Sequence, residues 1–287
     1  MTTTNKRPRP KLLAEVRKQV EHATAAPLPE LKAAQEPLAY LSWLASHCSR
    51  FAALPVFLDE VQSDIVAILY ACALGMERTA YLHARSLLEN LIRHCYFDSR
   101  PALFVTRQVE PEEAIRDRWA AQSEEIQRLP HFRSASKKDD EGDDTSLFAE
   151  ISAVYVQSSR FVHGSTARYR NMYKNIRSVG LDPPRAQELT DFLRRLCESS
   201  LLLLALYHLG PYMLISQPIR RYMLLSMRRE GRARFLRCLG EVPLTWAEHQ
   251  RSAALQHLRE SNRNPRMSPA GLARDKTGRV RIAHPGG

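Results

Sequence analysis

Apolar residues recur every three or four positions through residues 56–97, and no other feature limits the fold of this chain as strongly. This spacing puts the apolar side chains on one face of a helix, because an α-helix completes a turn in about 3.6 residues. Gly75 interrupts the pattern and predicts two helices packed as an antiparallel pair. The strict alternation of apolar and polar residues that marks a strand is not evident anywhere. The sequence therefore predicts an all-α protein.

Further helices are predicted on both sides of this block, because the same periodicity recurs between the Pro and Gly residues that mark helix ends. They cover residues 11–25, 37–49, 110–129, 146–163, 185–209, 218–239 and 246–259. We expect one antiparallel helical bundle over 11–240, with a charged loop at 136–146 and a peripheral helix at 241–260. The basic termini, 1–10 and 261–287, are expected to be disordered.

Positive charge is concentrated in the last quarter of the chain. The net charge is +11, and the residues from 217 onward include 15 Lys or Arg against 5 Asp or Glu. Such a surplus can bind phosphate-rich partners by releasing their counterions, which makes RNA or DNA a candidate partner. Arg also greatly outnumbers Lys, as in proteins of GC-rich genomes, and a basic tail can serve solubility alone. Both interpretations remain open.

A basic amphipathic helix is predicted at the start of this quarter, within 221–240. Its candidate nucleic-acid-binding residues are Arg220, Arg221, Arg228, Arg229, Arg232, Arg234 and Arg237. Apolar residues are interleaved with these arginines, so one face can pack while the other meets solvent. The helix is interpreted as the solvated outer face of a bundle, as a platform for RNA or DNA phosphates, or as a membrane-surface helix.

Segment 199–216 is about as long and apolar as a minimal membrane span. His208, Gly210 and Pro211 interrupt it, and arginines flank both ends, so charge gives no orientation. A buried core helix is the favoured interpretation, and integral membrane insertion is not expected.

The five cysteines are far apart and lack the Cys and His spacings of zinc sites. This distribution predicts free, buried thiols in a reducing compartment. The basic N-terminus also lacks the apolar core of a signal peptide. We therefore expect a cytoplasmic protein that needs neither a metal nor a cofactor.

Two polar features border the predicted apolar faces. Arg85 and Glu89 lie four residues apart at the margin of one face, where an unpaired charge would be costly. They are interpreted either as a structural ion pair or as a polar centre within the bundle. His163 lies in the last turn of its helix, before Gly164, where the helix dipole stabilises a protonated imidazole. It is either a helix-end residue alone or a partner of Arg85 and Glu89.

The helix "HARSLLENLIRHCYF" and the later "SSRFVHGS" together carry a pattern of matching residues. These residues are Arg85, Ser86, Leu87, Leu88, Glu89, Ser159, His163 and Gly164. The pattern resembles a group of uncharacterised bacterial helical proteins that are similar to the HEPN superfamily of four-helix proteins. The resemblance spans about residues 55–215. It implies a helical-bundle core, a homodimer and metal-independent RNA cleavage.

Catalytic HEPN proteins carry an Arg followed four to six residues later by a His. Arg160 is too close to His163 for that spacing, and the pattern occurs inside the strong helical core at Arg78 and His83. If the chain cleaves RNA, His163 would orient or deprotonate the ribose 2′-hydroxyl. Arg85 would then stabilise the charge that develops on the phosphorane.

Three functions are compatible with these features. The first is a HEPN-like protein of bacterial defence or stress response that acts on RNA, with Arg85, Glu89 and His163 as its catalytic residues. The second is a non-enzymatic module that binds nucleic acid or a partner protein through the basic C-terminal quarter. The third is a membrane-associated helical protein, which depends on segment 199–216 alone.

Overall fold

The computed structural model describes residues 29–109, 119–132, 135, 146–163, 183–263, 272–274 and 280–282. Several predictions lie outside these described residues. They are the basic arm at 1–10, the helix at 11–25, the first part of the helix at 110–129 and all but the last residue of the charged loop at 136–146.

Eleven α-helices and two short strands make up most of the described residues. The helices are α1 Pro29–Ser49, α2 Val56–Ala73, α3 Glu77–Asp98, α4 Pro101–Val109, α5 Trp119–Gln127, α6 Leu147–His163, α7 Pro183–Tyr207, α8 Leu209–Leu214, α9 Gln217–Ser226, α10 Arg229–Gly240 and α11 Leu244–Arg263. The strands are β1 Leu272–Arg274 and β2 Val280–Ile282, and they pair antiparallel. Because all the large elements are helical, the predicted all-α class is confirmed.

Helices α2 and α3 are the two halves of the strong apolar block, and they divide where the sequence predicts. Gly75 between them has φ 66°, a left-handed conformation that glycine adopts without steric cost. Phe57 in the first turn of α2 stacks on Phe97 near the end of α3, with ring centroids 5.8 Å apart. Further along α2, buried Asp64 accepts a hydrogen bond from Asn90 Nδ2 at 3.1 Å. The two helices therefore share apolar and polar contacts.

Helix α3 lies at the centre of the packing, in contact with α2, α5, α6 and α7. Tyr81 of α3 is fully buried and stacks on Phe161 of α6, with ring centroids 3.7 Å apart. The same ring packs against Phe192 of α7 at 4.4 Å. Burial of each such side chain contributes roughly 1.5–3 kcal/mol. This aromatic cluster holds the last turn of α6 beside α3.

Helix α1 begins at Pro29, eight residues before the predicted start, and continues through Pro37. A proline inside a helix removes a backbone hydrogen bond and strains the preceding turn. Leu31, Ala34 and Leu38 recur on one face and are all buried against the core. The burial of this face explains why the helix continues through the proline, so the predicted start was wrong.

The helix predicted over 218–239 is broken in the structure. Helix α9 ends at Ser226 and α10 begins at Arg229, because Arg228 has an extended conformation with ψ 162°. The backbone N–H of Arg228 donates to Glu198 Oε1 on α7 at 2.6 Å. A buried carboxylate on another helix therefore determines the break, and no local pattern in the sequence indicates it.

The apolar segment 199–216 is also divided. Helix α7 ends at Tyr207 and α8 begins at Leu209, because His208 leaves the helical conformation with φ −100° and ψ 47°. Residues 201–206 are buried in the core, as the favoured interpretation predicts. Within the described part of the chain, no helix combines the length and apolar character needed to cross a membrane.

The C-terminal region differs from the disordered tail expected at 261–287. Helix α11 continues to Arg263, and β1 and β2 pair Leu272 with Ile282 and Arg274 with Val280. Strands of three residues are too short for an alternating pattern to stand out in a sequence. These short elements lie within the segment that the sequence predicts to be a disordered tail.

Candidate functional site

Arg85, Glu89 and His163, the three residues predicted as catalytic, are adjacent in the structure. Arg85 Nε donates to Glu89 Oε1 at 2.9 Å, one turn further along α3. Arg85 Nη1 lies 2.7 Å from Nε2 of His163, the last residue of α6. We call these three residues the surface cluster. Their catalytic role remains a prediction, but their proximity is a feature of the fold.

The contact between Arg85 and His163 determines which ring nitrogen accepts a hydrogen bond. A guanidinium group has donors only, so Nε2 of His163 is the acceptor in this contact. Nδ1 is then the ring nitrogen that carries the proton. The surface cluster therefore directs the Nε2 lone pair of His163 at the Arg85 guanidinium.

Glu89 joins the surface cluster to further side chains. Its Oε1 accepts a hydrogen bond from the Tyr155 hydroxyl at 3.0 Å, and its Oε2 lies 3.6 Å from Arg93 Nη2. The Arg85 guanidinium lies 5.2 Å from the centroid of the Tyr155 ring. Trp119 of α5 stacks on that ring, with centroids 4.0 Å apart. Arg85 is therefore held by a carboxylate on one side and an aromatic ring on the other.

The surface cluster is partly open to solvent. The side chains of Arg85 and Glu89 retain 23% and 22% of their exposure, and His163 is exposed. The surface cluster therefore lies at the edge of the bundle, where Arg85 and Glu89 form an ion pair. Both α3 residues lie at the edge of the apolar face, where α6 meets α3 and water still reaches their charged ends.

Burial and charge pairing act on the two groups that flank the imidazole. Partial burial lowers the pKa of Arg85, but the hydrogen bond and negative charge of Glu89 outweigh it, so that the pKa is raised above its ordinary value. Burial, followed by the negative charge of Glu89, raises the pKa of the Tyr155 hydroxyl. Arg85 therefore stays cationic and Tyr155 keeps its hydroxyl proton.

Arg78 and His83, the other candidate pair, contact different partners. Arg78 Nη2 donates to the backbone carbonyl of Val162 at 2.6 Å, in the last turn of α6. His83 Nδ1 lies 2.9 Å from Asp64 Oδ1 on α2. Arg78 therefore satisfies a terminal carbonyl of α6 and holds that helix end next to the surface cluster.

The seven arginines predicted to bind nucleic acid fall into two groups. Four of them are half-buried, namely Arg220, Arg228, Arg232 and Arg234. The other three are exposed, namely Arg221, Arg229 and Arg237. Arg228 binds both carboxylate oxygens of Glu198, and Arg234 lies 3.9 Å from Glu150. Phosphate binding by these arginines stays a prediction. Arg228 is the least suited of them to this role, because its guanidinium already binds the buried carboxylate of Glu198.

The sequence analysis missed three residues around the surface cluster. Arg93 follows Glu89 at the four-residue spacing that already relates Arg85 to Glu89, so its position was detectable. The hydroxyl contact of Tyr155 with Glu89 joins two different helices, so it could be found only in the structure. The stacking of Trp119 depends on how α5 packs against α3, which no local pattern predicts.

Metal-ligating side chains converge elsewhere in the described structure. Potential ligand atoms of His94, Asp98 and His208 all lie within 4.8 Å of one another. The sequence contained one local signal for this group, since His94 and Asp98 are four residues apart on one helix face. The five cysteines are free and buried, as predicted.

Comparisons with protein-family models, curated proteins and solved structures gave no match to this chain. The resemblance to HEPN proteins therefore depends on the residue pattern alone.

Proposed function

We propose that this chain is a HEPN-like antiparallel helical bundle of bacterial defence or stress response that cleaves RNA without a metal ion. The observation that carries the proposal is the 2.7 Å contact between Arg85 Nη1 and His163 Nε2 on an exposed surface. A fixed cation beside a neutral imidazole supplies a phosphate-binding group and a general base in one place.

In the proposed reaction, an RNA phosphate takes the position beside the Arg85 guanidinium. The guanidinium turns from the imidazole to the phosphate, which frees the Nε2 lone pair of His163. His163 Nε2 then accepts the proton of the ribose 2′-hydroxyl, and the 2′-oxygen attacks the adjacent phosphorus. The bond to the 5′-oxygen breaks, the 5′-oxygen takes a proton from water, and a 2′,3′-cyclic phosphate remains.

Other side chains at the surface cluster have positioning roles in this proposal. Glu89 holds Arg85 through its hydrogen bond and is itself held by the Tyr155 hydroxyl. The half-buried Trp119 and Tyr155 rings adjoin the cluster, and single-stranded bases stack on such rings.

The test is cleavage of single-stranded RNA by the purified full-length protein, combined with growth arrest on expression. Replacing the base, in His163→Ala, is expected to reduce cleavage by about 10²–10⁴-fold. Replacing the cation, in Arg85→Ala, is expected to reduce it by about 10²–10³-fold. His249→Ala removes an exposed imidazole from α11 and is the matched control, with cleavage unchanged.

Circular dichroism establishes that each variant is folded before its activity is compared. Full toxicity in folded His163→Ala and Arg85→Ala proteins would refute the proposed site. Cleavage that disappears on addition of a chelator, while circular dichroism shows that the protein is still folded, would refute the metal-independent reaction.

A homodimer is part of the same proposal. Exposed apolar side chains line a groove of about 1020 Å³ that helices α8 to α11 share; they are Tyr222, Leu225, Leu236 and Leu244. A second copy of the chain would cover this face, because exposed apolar patches mark association surfaces. Light scattering is expected to give twice the mass of one chain, and Leu244→Glu is expected to lower that value.

A second candidate function is non-enzymatic nucleic-acid binding by the C-terminal quarter. Exposure of Arg221, Arg229 and Arg237 favours it. Deletion of residues 217–287 would not test it cleanly, because Met223 and Phe235 are part of the core. Replacing the three exposed arginines by Gln is the appropriate variant. If the three arginines bind three phosphates, their loss would make the negative slope of log K against log salt concentration less steep by about 2–3.

A further inference from the structure

A second polar group lies in the interior, where the end of α3 meets the junction of α7 and α8. It consists of His94, Asp98 and His208, which we call the buried cluster. His94 has no exposed surface and His208 retains 6%. Potential ligand atoms of all three lie within 4.8 Å of one another. None of these residues takes part in the proposed RNA reaction.

The fold brings these side chains together in two ways. His94 and Asp98 are four residues apart on α3, so they project from the same face. His208 lies between α7 and α8 in a non-helical conformation, with φ −100° and ψ 47°. This bend directs its imidazole at α3, and the two Nε2 atoms of His94 and His208 are 2.7 Å apart.

The two facing imidazoles place their Nε2 atoms where one cation could bind both. Only one of the two Nε2 atoms can carry a proton at their present separation, and the other must accept it. Nδ1 of His94 is buried without a well-aligned partner among the described residues, and a weaker hydrogen bond to the backbone of Leu54 acts on the same imidazole. A proton on Nδ1 that points to that backbone leaves the Nε2 lone pair free, as in metal-ligating histidines. A metal ion would accept both Nε2 lone pairs.

Asp98 is oriented by two donors that leave room for a third partner. Its Oδ1 accepts a hydrogen bond from the backbone N–H of Leu54 at 2.8 Å. Its Oδ2 accepts one from the Tyr207 hydroxyl at 3.2 Å. Each carboxylate oxygen has two lone pairs, so both contacts are compatible with coordination. Hydrogen bonds of this kind orient the carboxylates of metal sites.

We propose that the buried cluster is a structural site for one divalent transition-metal ion of the zinc type. Its ligands would be Nε2 of His94, Nε2 of His208 and a carboxylate oxygen of Asp98. Histidine nitrogen and carboxylate oxygen are donors that Zn²⁺ prefers, at about 2.0–2.2 Å. A solvent molecule completes the tetrahedron. The bound ion would fasten the end of α3 to the α7–α8 junction.

The ligand atoms of the buried cluster lie within 4.8 Å of one another, so a bound ion would have to draw the group together around itself. Two nitrogens bound tetrahedrally at about 2.0–2.1 Å are roughly 3.3 Å apart. The imidazoles therefore have to separate by roughly 0.6 Å from their 2.7 Å contact. The site is separate from the surface cluster. His94 comes nine positions after Arg85, which puts the two side chains on opposite faces of α3 at about 100° per residue.

The test begins with Zn²⁺ titration of chelator-treated, full-length protein in competition with a chromophoric chelator. One equivalent of Zn²⁺ is expected to bind. Free Zn²⁺ at about 100 times its Kd is expected to raise Tm by about 5–10 °C. His94→Gln and His208→Gln are each expected to weaken binding by at least about 100-fold. His249→Gln removes an exposed imidazole and is expected to bind as the parent does.

Co²⁺ substitution identifies the ligands, since tetrahedral Co²⁺ gives visible d–d bands. A thiolate charge-transfer band should be missing, because no cysteine belongs to the buried cluster. If a histidine variant does not fold, Asp98→Asn keeps the shape of the site and is measured instead. The proposal is overturned if Zn²⁺ does not bind stoichiometrically, if binding is unchanged in the folded variants, or if the Co²⁺ spectrum shows thiolate ligation.

Discussion

Arg228→Met should destabilise the protein far more than the loss of any arginine of α10, the helix that follows it, because the carboxylate that Arg228 binds is buried. The Glu198 side chain is 4% exposed and that of Arg228 is 29% exposed. Arg228 Nε lies 3.1 Å from each carboxylate oxygen, and Nη2 lies 2.8 Å from Oε2. Without the guanidinium, the hydrogen bonds among the described residues leave the carboxylate with the backbone N–H of residue 228 as its donor.

Removal of one partner of a buried ion pair typically costs about 3–5 kcal/mol. Water reaches part of Arg228, so we expect the lower end, about 3 kcal/mol. For a domain of this size, that loss lowers Tm by about 6–12 °C. Urea unfolding followed by circular dichroism measures the change.

Arg229→Met is the matched control, because it removes the same charge from an exposed neighbour on α10. Its effect should stay within about 0.5 kcal/mol. Adding Glu198→Gln to Arg228→Met should restore part of the lost stability, because it removes the uncompensated charge. If Arg228→Met and Arg229→Met cost the same, the buried-pair reasoning is refuted.

Three further outcomes follow from single side chains. Gly210→Ala should lower the free energy of unfolding in urea by about 1–3 kcal/mol, because the new methyl group would collide with the backbone of α11. Gly240→Ala is the control and should not destabilise the protein, because its methyl group would meet open space. Burial lowers the pKa of the His131 imidazole. Below about pH 6.5 the unfolded chain therefore takes up a proton that the folded protein resists, so the free energy of unfolding decreases as the pH is lowered. Tm measured against pH should therefore fall less steeply in His131→Phe than in the parent, with exposed His249→Phe unchanged. Tyr155→Phe should cost about 1 kcal/mol in the same urea assay, because the carboxylate of the surface cluster loses a donor.

The sequence predicted those parts of the fold that depend on local pattern. The division of α2 from α3 follows from apolar spacing and Gly75, and both are local properties. Helix α4, which the sequence analysis did not predict, begins at Pro101, and a proline is suited to the first turn of a helix. The break at Arg228 could not be predicted, because it depends on a carboxylate 30 residues earlier in the chain.

The candidate site was predictable to a similar extent. Arg85 and Glu89 were paired correctly by their four-residue spacing along one helix. The contact of His163 with Arg85 depends on the packing of α6 against α3, which the stacking of Tyr81 on Phe161 stabilises. Such a long-range contact is determined by the shapes of two helix faces, and the sequence alone left it open.

The hydrogen bond from Arg78 to the carbonyl of Val162 has a consequence for how the imidazole next to it can move. The α6 backbone is anchored one residue before His163, and the anchor and Arg85 both belong to α3. A ligand that draws His163 away from Arg85 must therefore turn the side chain about its own χ angles, since the helix end cannot swing outward without breaking that anchor. Side-chain rotation takes picoseconds to nanoseconds at exposed positions, so the two arrangements would interconvert rapidly.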